Sequence, residues 1–197
     1  GTSPITADGT STSTVTVSPA FASKWLLPRI ESFQHLCPDT EVRLDTSLKP
    51  VDFLTHGVDI GVRYGDGHWP GLVAEKLMDE EVYPVCSPRW LASRHRPLRP
   101  RDLLDAPLLH DLTMDGHAGF PTWASWLRMA GVQEAPSRRG MKINNSAAVL
   151  QAAIDGQGVA LARGAMAHDD VAAGRQPHSG VAVGLGDGQR LGWPPDD

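Results

Sequence analysis

Cysteine is scarce in this chain: Cys37 and Cys86 are the two it has. Each precedes a proline-marked break, Cys37-Pro38 and Cys86-Ser87-Pro88, at the end of a predicted element. Two small buried thiols in a reducing compartment is the plainer reading; a disulfide or a reactive thiol is the other. Long apolar runs are missing as well. None approaches the roughly 18 residues of a membrane span. Gly1 to Ser13 is polar with Asp8 as its one charge, unlike a secretory leader. A secreted chain whose leader has been removed fits the same observation.

Dense positive charge is also absent. The net charge is −5, and the nearest basic run, Arg94 to Arg101, is interleaved with proline. A domain that grips nucleic acid by its phosphates normally shows a basic face, so this chain is not expected to hold DNA by itself. Catalytic signatures are lacking too. Eight histidines are scattered, with no H-E-x-x-H, C-x-x-C or His-x-His pair and no G-x-S-x-G elbow. His168-Asp169-Asp170 is the tightest metal-like cluster, but helical neighbours point in different directions, which makes a solvated face. The glycine-bearing GDGHWPG and GQGVALARG match neither phosphate fingerprint. No catalytic residue, metal or cofactor is assigned, and the chain reads as a non-enzyme.

What is present is an ordinary globular composition: 197 residues, 41% hydrophobic and 21% charged, with six tryptophans among few aromatics. Such a chain can bury a core without disulfides or metals. Gly1 to Thr12 reads as a loose linker or the remnant of a cut. Thr14–Val17 should be the first strand. Ser18-Pro19 then opens a helix as N-cap and first residue. Phe21, Trp25, Leu26, Ile30 and Phe33 follow at helical spacing, and Pro28 forces a kink or restart.

Val42–Leu44 reads as a strand, Val51–Thr55 as a short helix closed by Gly57, and Val58–Tyr64 as a third strand. Val73–Leu77 and Val82–Cys86 read as two more. A second unit opens at Ser87-Pro88. It holds a short helix ending at Leu103-Leu104, a strand at Leu108–His110, a helix at Trp123–Met129 and a strand at Met141–Ile143. Asn144-Asn145-Ser146 then caps a helix with Val149, Leu150, Ala153 and Ile154 on one face. A strand at Val159–Ala162 and a helix at Ala165–Ala173 complete it. The strand Val181–Val183 is the one element read in the tail.

These units make an α/β chain of two βα-rich halves meeting near residues 84 to 88. In an open α/β sheet, ligands bind at the loops after the strands. Thr46 and Ser47 follow the second strand; Tyr64 and Gly65 follow the third. Tyr64 reads equally well as a core aromatic. A helix N-terminus leaves unpaired N–H groups and a partial positive charge suited to a carboxylate. Ser18 and Ser146 each open such a helix, although each serine also reads as a simple cap. Arg63 should pair with Asp59 or Asp45.

The residues FxxxWLLPRIxxFxxxxP at Phe21 to Pro38, EVRLDTS, VDFxxxGVDIGVRYGDGxWPG, EEVYPVCSPRWLA, WASWLRxAGV and SAAVLQAAxxGQGVALxR form a long ordered series. It resembles the effector-binding domain of LysR-type transcriptional regulators, in the glycine-cleavage activator and β-lactamase regulator branch, from about Thr14 to Gly174. The resemblance implies two Rossmann-like subdomains around a central cleft, as in periplasmic binding proteins of type 2. Residues 13–84 plus 176–197 would form the first and 85–175 the second. It implies a small effector in that cleft, an acidic one such as an amino acid, an aromatic acid or a cell-wall peptide. It also implies cytoplasmic location, a homodimer, a tetramer in the full-length protein, and DNA contact only through a winged helix-turn-helix outside this chain. Effector contacts then fall to Ser18, Pro19, Ala20, Phe21, Thr46, Ser47, Tyr64, Gly65, His110, Asn145, Ser146 and Ala162. Asp52 is the switch candidate, since in the resembling β-lactamase regulators its region affects the inducer-linked switch. The tail departs from the family pattern, either truncated or diverged. A free solute-binding protein, and a serine hydrolase using Ser146 or Ser18 with a distant histidine, are the competing readings.

Overall fold

A computed structural model describes residues 11–49, 53, 56–94, 99–117, 119–137 and 139–175. The chain divides into two compact units, the first ending at Gly65 and the second beginning at Asp66.

The first unit opens with β1, Ser11–Val17. This strand starts earlier than the expected Thr14, because parallel pairing carries Ser11 onto Thr40 and the Ser/Thr run takes extended backbone once it has a partner. Ser18 caps the following helix, its Oγ accepting from Phe21 N–H at 3.4 Å. That helix runs in three pieces: α1, Pro19–Phe21; a π-helical stretch, Ala22–Leu26; and α2, Leu27–Leu36. Pro28 is the reason for the break. It has no N–H to give the carbonyl four residues back, and its ring crowds that carbonyl. The backbone widens instead, and Leu27 N–H reaches five residues back to Ala22 O. Phe21 stacks on Trp25 at 5.0 Å, and the Arg29 guanidinium lies 4.9 Å from the Trp25 ring.

Next come β2, Thr40–Asp45, and β3, Ile60–Val62. The sheet order is β2-β1-β3 and all pairs are parallel. The strand foreseen over Val58–Tyr64 shrinks to three residues. The helix expected at Val51–Thr55, with Asp52 on it, lies outside the described residues, as do the foreseen strand Val181–Val183 and the rest of the tail.

In the second unit, the strand expected at Val73–Leu77 does not form. Residues 73–81 have no regular structure, and Val73 is 95% exposed. Alternating apolar residues make a strand only when a neighbour takes their N–H and C=O groups, and among the described residues none pairs here. The regular elements are β4, Val82–Val85; α3, Pro88–Ala92; β5, Leu108–Asp111; α4, Trp123–Met129; β6, Gly140–Ile143; α5, Ser146–Ile154; β7, Val159–Arg163; and α6, Gly164–Ala172. The helix foreseen before Leu104 is a 3-10 turn, Pro100–Leu103. Strand order is β4-β7-β5-β6, with β4 antiparallel to β7 and the other pairs parallel.

Trp126, Leu103, Leu108, Leu127, Cys86 and Val159 form one fully buried cluster in this unit. Each such side chain contributes on the order of 1.5–3 kcal/mol by leaving water. Gly140 begins β6 at φ 125°, and a Cβ there would sit 1.8 Å from Leu108 O. Only glycine lets β6 approach β5 that closely.

Candidate functional site

Parallel strands end side by side, so the residues just past them share one edge. In the first unit Ser18 follows β1, Thr46 and Ser47 follow β2, and Tyr64 and Gly65 lie just past β3. Beneath them lies a polar knot built around Thr16, Asp45 and Arg63. Thr16, almost fully buried, accepts from Arg63 Nη2 at 2.7 Å and donates to Asp45 Oδ2 at 3.4 Å. Asp45 Oδ1 accepts from Ser47 N–H at 3.0 Å. Arg63 also donates to the Val62 carbonyl at 3.0 Å and to the Ser47 carbonyl at 3.4 Å. Burial pushes the Arg63 pKa down and the Asp45 charge pulls it back up. Of the two foreseen partners, Asp45 is the one joined to Arg63, through Thr16. Asp59 instead accepts from Thr14 N–H at 2.9 Å. Arg63 thus ties the loop after β2 to the ends of β1 and β3.

Ser18 and Ser47 are half-buried, Thr46 and Gly65 are exposed, and Ala20 is buried. The Ser47 hydroxyl accepts from Lys49 N–H at 3.1 Å, forming a local turn. Pro19 occupies the first turn of α1, and Phe21 is engaged with Trp25.

In the second unit the corresponding edge lies past β5, β6 and β7. Here the structure reassigns a role. Asn145 is the N-cap of α5, its Oδ1 accepting from Ala148 N–H at 3.0 Å. Of the Asn144-Asn145-Ser146 run read as the cap, Ser146 is the first helical residue and its hydroxyl is turned toward β5. It donates to Asp111 Oδ2 at 2.5 Å and lies 2.8 Å from Thr113 Oγ1. Thr113 gives Asp111 Oδ1 both its hydroxyl hydrogen, at 2.5 Å, and its backbone N–H, at 3.0 Å. Two hydroxyls and one carboxylate therefore close a triangle at the end of β5. Asp111 and Thr113 were missed, although Asp-x-Thr directly after a strand is a recognisable side-chain turn.

A hollow lies beside the triangle, lined by Asp111, Phe120, Ser146, Leu161, Ala162 and Arg163 among others. Its volume, about 10 Å³, is room for roughly one water. A small organic molecule does not fit inside it. Ala162 is nearly fully buried in the hollow's wall. His110 is half-buried on β5; burial lowers its pKa, Lys142 adds to that and Asp115 opposes it.

Glu80 reaches α6 across the fold, its Oε1 accepting from Ala165 N–H at 3.0 Å. Burial raises its pKa, while the amides of Ala165, Glu81 and Gly164 and the charge of Arg163 pull it down. It supplies the cap that α6 lacks locally, since Arg163 makes no side-chain cap. Burial likewise pushes the Tyr83 hydroxyl up to about 12, helped by Glu80 and Glu81.

Among the described residues no group of three His, Cys, Asp or Glu is placed to hold a metal ion, and no helix is long and apolar enough to cross a membrane.

Comparison with known proteins identifies this arrangement. The family model described as the LysR substrate binding domain matches residues 8–176. The chain belongs to that family. The LysR domain is 42% identical over 163 residues to the glycine cleavage system transcriptional activator of Escherichia coli K12, covering 82% of this chain and 51% of that protein. It is 36% identical over 184 residues to the HTH-type transcriptional activator AmpR of Rhodobacter capsulatus, covering 92% and 60%. This LysR domain therefore spans about half the length of the curated relatives it matches. Among solved structures it resembles the effector domain of the transcriptional regulator AmpR of Pseudomonas aeruginosa. That match has a TM-score of 0.70 and 34% identity, covering 87% of this chain and 79% of that one. The effector-binding fold of the family, mixed α/β and periplasmic-binding-protein-like, is thus the fold of this domain. The relatives are transcriptional regulators and no catalytic family is indicated.

Proposed function

We propose that the chain is the sensing part of a LysR-type transcriptional regulator, which binds a small polar effector and passes the event to a DNA-reading head elsewhere in the full protein. The observation that carries this reading is the polar triangle of Asp111, Thr113 and Ser146. It sits at the strand-end rim of a domain whose relatives regulate transcription and include an AmpR with a named effector domain. Ser18, Thr46, Ser47, Tyr64 and Gly65 supply the corresponding rim of the first unit. Pro19, Ala20, Phe21, His110, Asn145 and Ala162 support these positions, and Asp52 remains the switch candidate. In this reading the domain pairs as a homodimer, and the full-length protein is a tetramer that works in the cytoplasm. Effector binding shifts the population of its conformations, which requires unequal affinity for them.

A hydrolytic reading is disfavoured by the same geometry. The Ser146 hydroxyl gives its hydrogen to a carboxylate, and the Ser18 hydroxyl is engaged with Phe21 N–H. A free solute-binding protein is disfavoured by the regulator relatives.

The test is a thermal-shift screen with amino acids, aromatic acids and cell-wall peptides, since a ligand at 100 times its Kd adds about 2.7 kcal/mol. Ser146→Ala should weaken a hit several-fold, at a cost in stability of about 1 kcal/mol from the lost hydrogen bond. Ser18→Ala should weaken it as well. Unchanged affinity in both variants would place the effector elsewhere, and serine-dependent turnover of an ester or amide would replace sensing with catalysis.

A further inference from the structure

The rim triangle has a hydrogen count that constrains what it can bind. Three polar contacts join Asp111, Thr113 and Ser146: Ser146 to Asp111, Thr113 to Asp111, and Thr113 to Ser146. With Asp111 ionised, only two side-chain hydrogens exist, one on each hydroxyl, because an ionised carboxylate only accepts. Both hydrogens lie inside the triangle. What faces outward is therefore lone pairs and one negative charge.

Among the described residues no Lys, Arg or His forms an ion pair with Asp111. Arg163 lines the same hollow; its guanidinium donates to Met166 Sδ at 3.5 Å and its charge acts on Glu80. Among the described residues the carboxylate is thus half-buried, hydrogen-bonded by neutral groups and joined to no cation by an ion pair. Such a group attracts a charged donor strongly.

We propose that Asp111 is a specificity-determining residue, and that the triangle recognises an ammonium or other N–H donor of the effector, not a carboxylate. This rests on the effector-site reading above and refines it. A helix N-terminus alone favours an anion. At α5, however, Asn145 already takes the Ala148 N–H, and Asp111 places a negative charge beside the first turn. An acid entering here meets like charge. An effector with a carboxylate must present that group to some other part of the protein.

The experiment titrates the full chain with L-alaninamide, which carries an ammonium and no carboxylate, and with propionate, which carries the reverse. The amide NMR resonances of Asp111, Thr113 and Ser146 are followed at constant ionic strength. L-Alaninamide should shift these resonances saturably, and propionate should not. Asp111→Asn, nearly isosteric, should weaken the ammonium probe by about tenfold or more. Thr113→Val keeps the carboxylate and should retain the preference, which guards against a general loss of folding in the first variant. Propionate acting as strongly as L-alaninamide overturns the proposal, as does the absence of any saturable response to L-alaninamide. An unchanged affinity in Asp111→Asn also overturns it. The effector-site reading is judged separately, by the Ser146-dependent hit in the thermal-shift screen. A carboxylate-only hit that needs Ser146 would keep the site and reject this specificity.

Discussion

Two tryptophans three residues apart on α4 show how much one buried N–H decides. Trp123 and Trp126 are both buried and meet edge to face at 5.9 Å. Trp123 Nε1 donates to the Leu109 carbonyl at 2.9 Å, whereas Trp126 Nε1 has no partner among the described residues. Replacing either by Phe removes similar apolar area. Only Trp123→Phe also breaks a buried hydrogen bond, which adds on the order of 1–2 kcal/mol. Urea unfolding should therefore rank Trp123→Phe as the more destabilising variant, and the reverse order would show that Trp126 Nε1 has an undetected partner. Cys86 is a second case where burial decides. It is fully buried, and burial raises its thiol to about 11, with Arg94 opposing, so packing accounts for it better than reactivity. Composition could suggest inert thiols. It could not distinguish Trp123 from Trp126, because the difference lies in a carbonyl fourteen residues away.

At the scale of elements, α6 is the informative case. Its own sequence offers no N-cap side chain, and Glu80 supplies one from the irregular segment before β4. That placement costs desolvation, which is the larger influence on its pKa and raises it. The sign follows from linkage: a carboxyl whose native pKa is raised binds its proton more readily folded than unfolded. Its contribution is complete below the unfolded pKa and is lost as pH rises through the native one. Glu80→Gln removes this dependence. The stability difference between wild type and Glu80→Gln, followed by denaturant unfolding from acid to neutral pH, should move against the wild type as pH rises across that interval. A difference independent of pH would show that Glu80 is not desolvated in the folded protein. Other elements needed no such distant help. Ser18-Pro19 and Ser87-Pro88 each cap the helix they open, and the Pro28 restart was readable because a missing N–H is a property of the residue itself.

For the whole molecule, net charge is the relevant quantity. A chain of net charge −5 releases few counter-ions from a duplex. In a mobility-shift assay at physiological salt, these 197 residues alone should give no retarded band, while a full-length regulator carrying the same domain should give one. A salt-sensitive shift by this chain would move DNA contact into the sensing domain. The sequence by itself determined the α/β class, most helix starts and the family. Capping chemistry, proline and charge act over a few residues or sum over all of them. Only the tertiary structure decided that Val73–Leu77 stays irregular, that Asn145 and not Ser146 caps α5, and that Thr113 and Ser146 both give their hydroxyl hydrogens to Asp111. A strand needs a partner, and a hydroxyl goes to the strongest acceptor in reach. Both lie far away along the chain and become neighbours only when β5, β6 and α5 are packed together.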